Sequence, residues 1–594
     1  MLKWLDENLE EFLMVALLIA MTVIMGIQVF ARYALGASLS WSEELTRYLF
    51  IWSGFISVSY CTKKCISIKI EQFVAMFPRR GKALFKVVNH TIELALFLYL
   101  IPYAVLYLKS AFESGQVSPA CQIPMYYIQA APLFSFVLVA FRIVQRWIIE
   151  FKIVIRKDEE KEENKCQQQS YFLLFFICLI IAIPISIALG IVSVLPGAFD
   201  PSFTASGTFV IRSMLGGIDS FPLLAVPMFV LSGMIMAKGG ISKKIFDVFA
   251  FFIGKLTAGM PCAVIVTCLF YGAISGSAPA TVAAVGSMTI PILVRLGYDK
   301  SFSTAIVAVA GGLGVIIPPS IPFIMYGMAS GESVSDLFMA GVVPGLLIGA
   351  LLMVYAIYYC KKHGEDKEKI AAEIDQLHAK GFIGVFKESF FAILSPVIIL
   401  GCIYTGIASP TEAAVISVFY SLVVSLFIYK SMKFKDIWGI MVEGVRTYAP
   451  ILFILAASIA FSRVLTLMRV PQSISAWILG NFHNKIVILL VINIFLLIVG
   501  MVMDTTPAIL ILTPILLPIV TAIGMNPIHF GVMMVVNLAI GFVTPPIGVN
   551  LFVASSLTDI PVMKIAQKAM PLIICFLIAL LLITFIPQIS LALL

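Results

Sequence analysis

The sequences GVIIPPSIPF at Gly314–Phe323 and GFVTPPIGVN at Gly541–Asn550 each place two prolines inside an apolar run. Because proline removes a backbone donor and clashes with the preceding turn, each pair predicts an interrupted helix. At membrane depth such an interruption is tolerated only inside protein or beside a water-filled cavity. One interruption is more often a structural kink, but two in matching places are typical of a transporter's binding site. We therefore expect main-chain oxygens there to be free to bind a cation.

The composition indicates a membrane protein with many spans. Of 594 residues, 61% are hydrophobic and 12% are charged, whereas soluble domains carry about 25% charged residues. Apolar runs such as FLMVALLIAMTVIMGIQVFARY reach the roughly 20 residues of a spanning helix, about twice the length of a membrane strand. We expect an all-α polytopic membrane protein. The net charge of +8 comes from Lys and Arg in short loops, which set topology, so no nucleic-acid partner is expected.

The N-terminal part predicts a small domain at 1–150 with four spanning helices. The loop after its second span is rich in Lys and Arg and the loop after its third is not, so both ends should be cytoplasmic. The charged stretch RKDEEKEENKCQQQS at 156–170 has no apolar face and is typical of a solvated tether. We place a linker at 151–170 and a large domain at 171–594. The four spans are expected at about 12–32, 46–62, 87–108 and 124–149.

The large domain contains an internal repeat. Shifting the chain by 227 residues brings glycines onto glycines and prolines onto prolines, which indicates two copies of one fold, at about 171–355 and 385–594. Repeats of this kind in transporters often have opposite orientations in the membrane, so we expect inverted repeats. The basic segment between them, at about 360–384, should be a cytoplasmic connector. The coincident pairs include Gly297/Gly524, Gly314/Gly541, Pro318/Pro545, Pro319/Pro546 and Pro344/Pro571.

Each double proline is preceded by a further polar break, at 272–287 (GAISGSAPATVAAVGS) and at 500–518 (GMVMDTTPAILILTPILLP). Small residues and a proline between two apolar arms predict the tips of two re-entrant helical hairpins. The first tip offers hydroxyls and the second adds a carboxylate. Since hard cations prefer oxygen ligands, these tips suit sodium better than a soft metal. The tip residues are Ser275, Gly276 and Ser277, and Asp504, Thr505 and Thr506.

Four side chains are candidates for binding substrate or ion. A carboxylate at the bilayer centre costs at least about 2.5 kcal/mol, so Asp504 should face a cavity with a partner, either a cation or an arginine. Arg463 is a candidate for a substrate carboxylate, although it could equally extend to the membrane interface. Ser275 and Ser320 could bind substrate hydroxyls or bond back to their own helices.

The sequence carries no catalytic or nucleotide-binding motif. Walker A, HExxH, GxSxG and dinucleotide patterns are absent, and the five histidines are far apart. We expect no enzyme activity and no cofactor beyond bound ions. Transport would then be driven by an ion gradient or by a separate ATPase subunit, and the paired hairpins favour the gradient.

The chain resembles a fused QM membrane component of a tripartite ATP-independent periplasmic (TRAP) transporter over residues 12–590. The small domain resembles the Q component through ARYALGASLSWSEELTRYLFIW at 31–52. The large domain resembles the M component through five motifs together, each of which is weak alone. These are AISGSAPATVAAVGSM, GVIIPPSIPFIMYG, LFMAGVVPGLL, SPTEAAVI and GMVMDTTPAILILTPILLP.

This resemblance implies an elevator-type transporter in the bacterial inner membrane, surrounded by lipid. It would couple sodium to uptake of an organic acid delivered by a periplasmic substrate-binding protein, with no ATPase subunit. The fusion suggests sialic acid, with C4-dicarboxylates and other sugar acids open. From another class, an ion channel or exchanger without a binding protein is the alternative. One implied sodium site uses Ser275, Gly276, Ser277, Gly314, Ile317 and Pro318, and a second uses Asp504, Thr505, Thr506, Gly541, Thr544 and Pro545. Substrate would lie near Ser275, Ser320, Arg463 and Asp504.

Overall fold

The fold is built from helices. Apart from turns, the only other regular pairing in the described part of the chain is one antiparallel bridge between Val117 and Pro124. Twelve of the described helices are long and apolar enough to cross a membrane, so the prediction of an all-α polytopic membrane protein is confirmed. The charged stretch at 156–170 lies outside the described residues. The computed structural model describes residues 2–69, 79–155, 183–199, 203–482, 484–545 and 548–594.

The chain divides into two compact units. Unit 1 comprises Met1–Phe221 and Met441–Val470, and unit 2 comprises Pro222–Ile440 and Pro471–Leu594. Unit 1 therefore contains the predicted small domain together with two segments from the first half of each predicted repeat. Unit 2 contains both hairpins and both double prolines.

The four predicted spans of the small domain correspond to four long helices of unit 1. A short helix precedes the fourth, and two further helices follow in the first repeat. The helices of unit 1 are α1 Leu2–Ala34, α2 Ser40–Lys64, α3 Arg79–Ser114, α4 Tyr126–Gln129, α5 Ala131–Ile155, α6 Ile185–Phe199, α7 Gly207–Ile218 and most of α18, Phe434–Leu467.

Unit 1 is held together by a buried ionic cluster as well as by apolar packing. Glu10 of α1 is fully buried, and it accepts hydrogen bonds from Arg142 of α5 at 2.5 Å and Lys63 of α2 at 2.8 Å. Ser59 donates to the same carboxylate at 3.3 Å. A buried carboxylate is stable only when paired in this way. The cluster therefore ties three helices of the small domain together.

Unit 2 contains the two series of helices that carry the repeat. Short 3₁₀ segments occur at Phe221–Leu224, before α8, and at Gly311–Val315, after α12. The helices of unit 2 up to the connector are α8 Ala225–Lys238, α9 Ile241–Ile253, α10 Gly259–Ser275, α11 Ala278–Arg295, α12 Lys300–Ala310, α13 Ile321–Ser330, α14 Val334–His363 and α15 Lys367–Ala379. Those after it are α16 Gly381–Tyr404, α17 Pro410–Val423, α19 Val470–Asn481, α20 Lys485–Val502, α21 Thr505–Ala522, α22 Pro527–Gly541, α23 Val549–Thr558, α24 Val562–Phe585 and α25 Pro587–Leu591.

The helix boundaries repeat along the chain. Helices α10 to α14 start at residues 259, 278, 300, 321 and 334, and helices α20 to α24 start at 485, 505, 527, 549 and 562. The two lists differ by 226 to 228 residues, in agreement with the shift of 227 that aligns the sequence. The caps repeat too: Asp299 accepts a hydrogen bond from Phe302 N at the start of α12, and Asn526 accepts from Ile528 N at the start of α22. Such side chains satisfy the first free N–H groups of a helix.

The two series also pack in a reciprocal manner. The second arm of the first hairpin, α11, packs against α23. The second arm of the second hairpin, α21, packs against α13. In the same way α12 packs against α24, and α22 packs against α14. These contacts are preserved when the two series of helices are exchanged. The inverted orientation in the membrane, the re-entrant course of the hairpins and the elevator-type movement stay predictions.

The predicted connector at about 360–384 is mostly helical. Helix α15 packs against α9, and Lys255 contacts Asp375 at 2.7 Å, where the ammonium holds the pKa of the Asp375 carboxyl below its usual range. The Glu365 carboxylate accepts hydrogen bonds from Ala258 N at 3.0 Å and from the Tyr298 hydroxyl at 2.5 Å. The connector is thus fixed to the ends of α9, α10 and α11.

Candidate functional site

The first double proline interrupts a helix as predicted. Helix α12 ends at Ala310 and tightens into a 3₁₀ turn over Gly311–Val315, and α13 begins only at Ile321. In the gap, Ile316 N and Ile317 N both donate to Leu313 O, at 3.0 and 2.9 Å. The two prolines that follow have no N–H to donate. The chain between α12 and α13 is therefore non-helical, and it is fully buried in unit 2.

The first hairpin tip is bonded to this interruption. Helix α10 ends at Ser275, Gly276 adopts a φ of +61°, and α11 begins at Ala278. A positive φ favours glycine because it has no Cβ. The amide N–H of Ile321 donates to Gly276 O across the gap at 3.4 Å. The tip and the start of α13 thus hold each other in place.

Oxygen atoms converge at this tip. The hydroxyls of Ser275 and Thr281 share a hydrogen bond of 3.0 Å, and Thr281 also donates to Ser277 O at 2.8 Å. A Cβ built on Gly314 would lie only 2.9 Å from Ser277 O. The structure therefore brings together four of the predicted site residues, Ser275, Gly276, Ser277 and Gly314. The other two, Ile317 and Pro318, follow Gly314 in the same non-helical segment.

Thr281 is the residue that the sequence analysis missed. Its side chain is fully buried, and its hydroxyl links the Ser275 side chain to the Ser277 carbonyl. The signal was present in the spacing, because a threonine four residues after a helix start bonds back to that carbonyl. The quoted motif GAISGSAPATVAAVGS contains this threonine.

Asp504 occupies the tip of the second hairpin. Helix α20 ends at Val502, and Asp504 is the N-cap of α21, where its Oδ1 accepts from Thr505 N at 2.6 Å and from Thr505 Oγ1 at 3.3 Å. A carboxylate at this position is stabilised by the positive end of the helix dipole. Within the described part of the chain Asp504 forms no ion pair, so the arginine partner that the sequence left open is not found there. The predicted neighbours Thr505 and Thr506 are both buried.

The second double proline also interrupts a helix. Helix α22 ends at Gly541, a turn follows in which Thr544 N donates to Gly541 O at 3.2 Å, and α23 begins at Val549. Across the gap Asn550 N donates to Phe542 O at 3.0 Å. Pro545 lies in this turn, whereas Pro546 is outside the described residues.

The two helices of the second site meet backbone to backbone at Gly541. A Cβ added to Gly541 would overlap the backbone of Gly500, near the end of α20. Gly500 lies four residues before Asp504. The broken end of α22 is thereby packed onto the hairpin arm that leads to the carboxylate.

The four predicted substrate residues lie in different places. Ser275, Ser320 and Asp504 belong to unit 2, and Arg463 belongs to α18 in unit 1. Ser320 caps α13: its hydroxyl accepts from Phe323 N at 3.3 Å and donates to Val315 O at 2.5 Å. Arg463 is exposed beside α7, with Nη1 3.8 Å from a Cβ built on Gly216. Both serines thus bond within their own segments, and the four substrate roles stay predictions.

Family models and named relatives of this chain indicate one family. Residues 21–152 match the family model of the DctQ component of tripartite ATP-independent periplasmic transporters, and residues 172–589 match that of the DctM component. The isethionate TRAP transporter permease protein DctMQ of Oleidesulfovibrio alaskensis is 37% identical over 99% of this chain and 95% of that protein.

Two further relatives are large permease proteins that match about two thirds of this chain. The C4-dicarboxylate TRAP transporter large permease protein DctM of Pseudomonas aeruginosa is 41% identical over 63% of this chain and 86% of that protein. The sialic acid TRAP transporter large permease protein SiaM of Vibrio cholerae is 35% identical over 65% of this chain and 89% of that protein. With the spans, the two broken helices and matches to both components in one polypeptide, this chain belongs to the tripartite ATP-independent periplasmic transporter family as a fused DctQ and DctM permease.

Proposed function

We propose that this multi-pass inner-membrane permease uses the sodium gradient to take up a small organic anion delivered by a periplasmic substrate-binding protein. The supporting observation is the duplicated arrangement of a hairpin tip and a broken helix, with converging hydroxyl and carbonyl oxygens at the first tip and a carboxylate at the second. Oxygen donors of these types suit a hard cation. Free carbonyls at broken helices serve the same purpose in other transporters.

The first sodium ion would bind at the tip formed by Ser275, Gly276 and Ser277, beside the Gly314–Pro318 segment. The second would bind between Asp504 and the broken end of α22. A single ionised carboxylate half-buried in an apolar unit needs a compensating charge, and among the described residues no cationic side chain supplies one to Asp504. A sodium ion fits that requirement.

The substrate class is a small organic acid, and isethionate is the first compound to test. Fusion of the two components alone would favour sialic acid, but the isethionate permease that matches 99% of this chain also carries both components in one protein. Fusion therefore does not distinguish these substrates. The sialic acid relative matches 65% of the chain, and C4-dicarboxylates stay on the list for the same reason.

The test is uptake into proteoliposomes that contain the purified chain, with a cognate binding protein outside. We expect concentrative uptake that needs external sodium and the loaded binding protein and that proceeds without ATP. Uptake that stays concentrative with equal sodium on both sides and no other gradient contradicts the proposal. Flux of sodium alone, without binding protein or organic anion, would instead indicate a channel or exchanger.

A further inference from the structure

A buried pair of asparagines links α20 to α22. The Asn537 Nδ2 donates to Asn493 Oδ1 at 2.8 Å and to the Asn493 backbone carbonyl at 3.0 Å. The Asn493 Nδ2 donates in turn to Thr584 Oγ1 of α24 at 3.3 Å. All three side chains are at most 3% exposed. This amide cluster, Asn493, Asn537 and Thr584, therefore joins three helices inside an apolar core.

The amide cluster lies on the interface that forms the second candidate site. Asn493 precedes Gly500 by seven residues on α20, and Asn537 precedes Gly541 by four on α22. These spacings are about two turns and one turn, so each asparagine shares a helix face with the glycine that follows it. Gly500 and Gly541 are the pair that meets backbone to backbone. The hydrogen bonds of the asparagine pair therefore also fix the position of the broken end of α22 along α20, the hairpin arm that leads to Asp504.

The first repeat has the same glycine contact without the amides. A Cβ on Gly272 of α10 would lie 2.8 Å from the Cα of Gly314, which is the counterpart of the Gly500 and Gly541 contact. The residue seven before Gly272 is Ile265, and the residue four before Gly314 is Ala310; both are apolar and buried. Close packing of the hairpin arm on the broken helix therefore does not require asparagines, and only the repeat that carries the carboxylate has them.

Stability alone does not account for the pair. The Oδ1 atom of Asn537 is buried and has no hydrogen-bond partner in the described part of the chain. A buried polar atom without a partner is destabilising, and an apolar side chain of similar shape would avoid that penalty. Positions that break a rule of stable packing in this way tend to serve function.

We propose that Asn493 and Asn537 are positioning residues for the second cation site. Their hydrogen bonds set the register of α22 on α20, so that the oxygens at the end of α22 lie beside Asp504 when sodium binds. They act through the helices and do not themselves contact the ion. This inference rests on the proposed sodium coupling.

The test is sodium-dependent thermal stabilisation of the full chain in nanodiscs, with choline chloride keeping ionic strength constant. Leucine has nearly the shape of asparagine, so Asn537→Leu, Asn493→Leu and the double variant remove the hydrogen bonds and little else. We expect each to raise the sodium concentration for half-maximal stabilisation by about tenfold. The double variant should be no worse than either single one, because the pair acts as one link. Thr513→Val is the matched control: this buried threonine of α21 contacts Met534 Sδ on α22 at 3.6 Å, so it links α22 to α21 and not to α20.

Each of the following results overturns the inference. A merely structural pair would lower the melting temperature equally at every sodium concentration and leave half-saturation unchanged. If the asparagine variants do not fold, Thr584→Val removes only the hydrogen bond between the cluster and α24. We expect this variant to raise the sodium concentration for half-maximal stabilisation by about two- to threefold. No change in that concentration refutes the proposal. If the wild-type chain shows no sodium-dependent stabilisation, the proposed function itself fails and the inference fails with it. Normal wild-type stabilisation with unaltered variants refutes the inference alone.

Discussion

At the scale of single residues, Asp504 combines two roles that can be separated. As the N-cap of α21 it accepts a hydrogen bond from Thr505 N, and as a carboxylate it supplies the one full negative charge of the second tip. Capping needs only a side-chain oxygen, which asparagine also has. Cation binding needs the charge. The two roles therefore respond differently to a change from Asp to Asn.

We expect Asp504→Asn to keep the cap and lose the ion. A charged oxygen ligand contributes roughly 1.5–3 kcal/mol, so the sodium concentration for half-maximal uptake should rise at least about tenfold. Expression and thermal stability without sodium should match the wild-type chain. Asp504→Ala should show the same loss together with a stability decrease of about 1 kcal/mol, because the cap is removed as well. Wild-type sodium dependence in Asp504→Asn would remove the carboxylate from the site.

Thr281 offers the equivalent test at the first tip. Valine has the same shape, so Thr281→Val deletes only the hydroxyl that links Ser275 to Ser277 O. We expect sodium affinity for uptake to fall by about five- to tenfold, since one neutral hydrogen-bond group contributes about 1–1.4 kcal/mol at a buried site. Thr289→Val is the control, because Thr289 is equally buried on the same helix and donates only to Val285 O. Equal sodium dependence in the two variants would contradict the assignment.

The residues that sequence reasoning located are those that act through the backbone. Gly276, Gly314, Gly541 and the prolines have structural effects that follow from their own chemistry, whatever surrounds them. Side-chain roles were harder to predict, because they depend on neighbours that only the fold supplies. The local sequence allowed Ser320 to bond back to its own helix but did not decide between that role and substrate binding, and the spacing of Thr281 indicated its bond to Ser277 O but not its contact with Ser275.

At the scale of helices, both candidate ion sites are formed by a broken helix packed against a hairpin. The repeat in helix boundaries was predictable because glycine and proline positions recur at a fixed spacing. The reciprocal packing of α11 on α23 and of α21 on α13 was not predictable. No sequence pattern here links those pairs of helices. The close contact of Gly500 with Gly541 is likewise a property of the packed helices.

That contact leads to a prediction about Gly541→Ala. The added methyl group would overlap the Gly500 backbone, which cannot move aside as a flexible side chain could. Overpacking of this kind costs typically about 1–3 kcal/mol, and we expect the upper end of that range. Gly401→Ala is the control, because in the described part of the chain no neighbouring atom lies within 4 Å of a Cβ built on Gly401 of α16, so the change should be neutral or slightly stabilising. Thermal unfolding in detergent measures both; equal melting temperatures would show that α20 and α22 are not in backbone contact.

At the scale of the whole molecule, the two units differ in what they contain. Unit 2 holds both candidate ion sites, and unit 1 holds the buried ionic cluster of Glu10, Arg142 and Lys63. Sequence analysis predicted the helices of the small domain from their apolar runs. It did not predict that segments 183–221 and 441–470 of the large domain would join the same compact unit, because that assignment depends on contacts far apart in the chain.

The ionic cluster should matter for folding and not for ion binding. Arg142→Met leaves Glu10 buried with one cationic partner fewer, and breaking such a buried pair costs about 3–5 kcal/mol. We expect a large fall in melting temperature and yield, with unchanged sodium dependence in the protein that does fold. Lys109→Met is the control, since its pair with Glu113 is 3.8 Å long with both side chains about two-thirds exposed, and exposed pairs contribute about 0–1 kcal/mol. A changed sodium half-saturation in Arg142→Met would connect the cluster to the ion sites.

The central claim is that the hairpin tips and broken helices of the two repeats form two separate sodium sites. Equilibrium binding of radioactive sodium to the purified chain in nanodiscs tests it most directly, by comparing the wild-type chain with Thr281→Val and Asp504→Asn at one sodium concentration. At a sodium concentration several times the wild-type half-saturation value, we expect close to two bound ions in the wild-type chain, a clear loss of occupancy at one site in each variant and a loss at both sites in the double variant. Wild-type stoichiometry in all three variants, or no bound sodium in the wild-type chain, would contradict it.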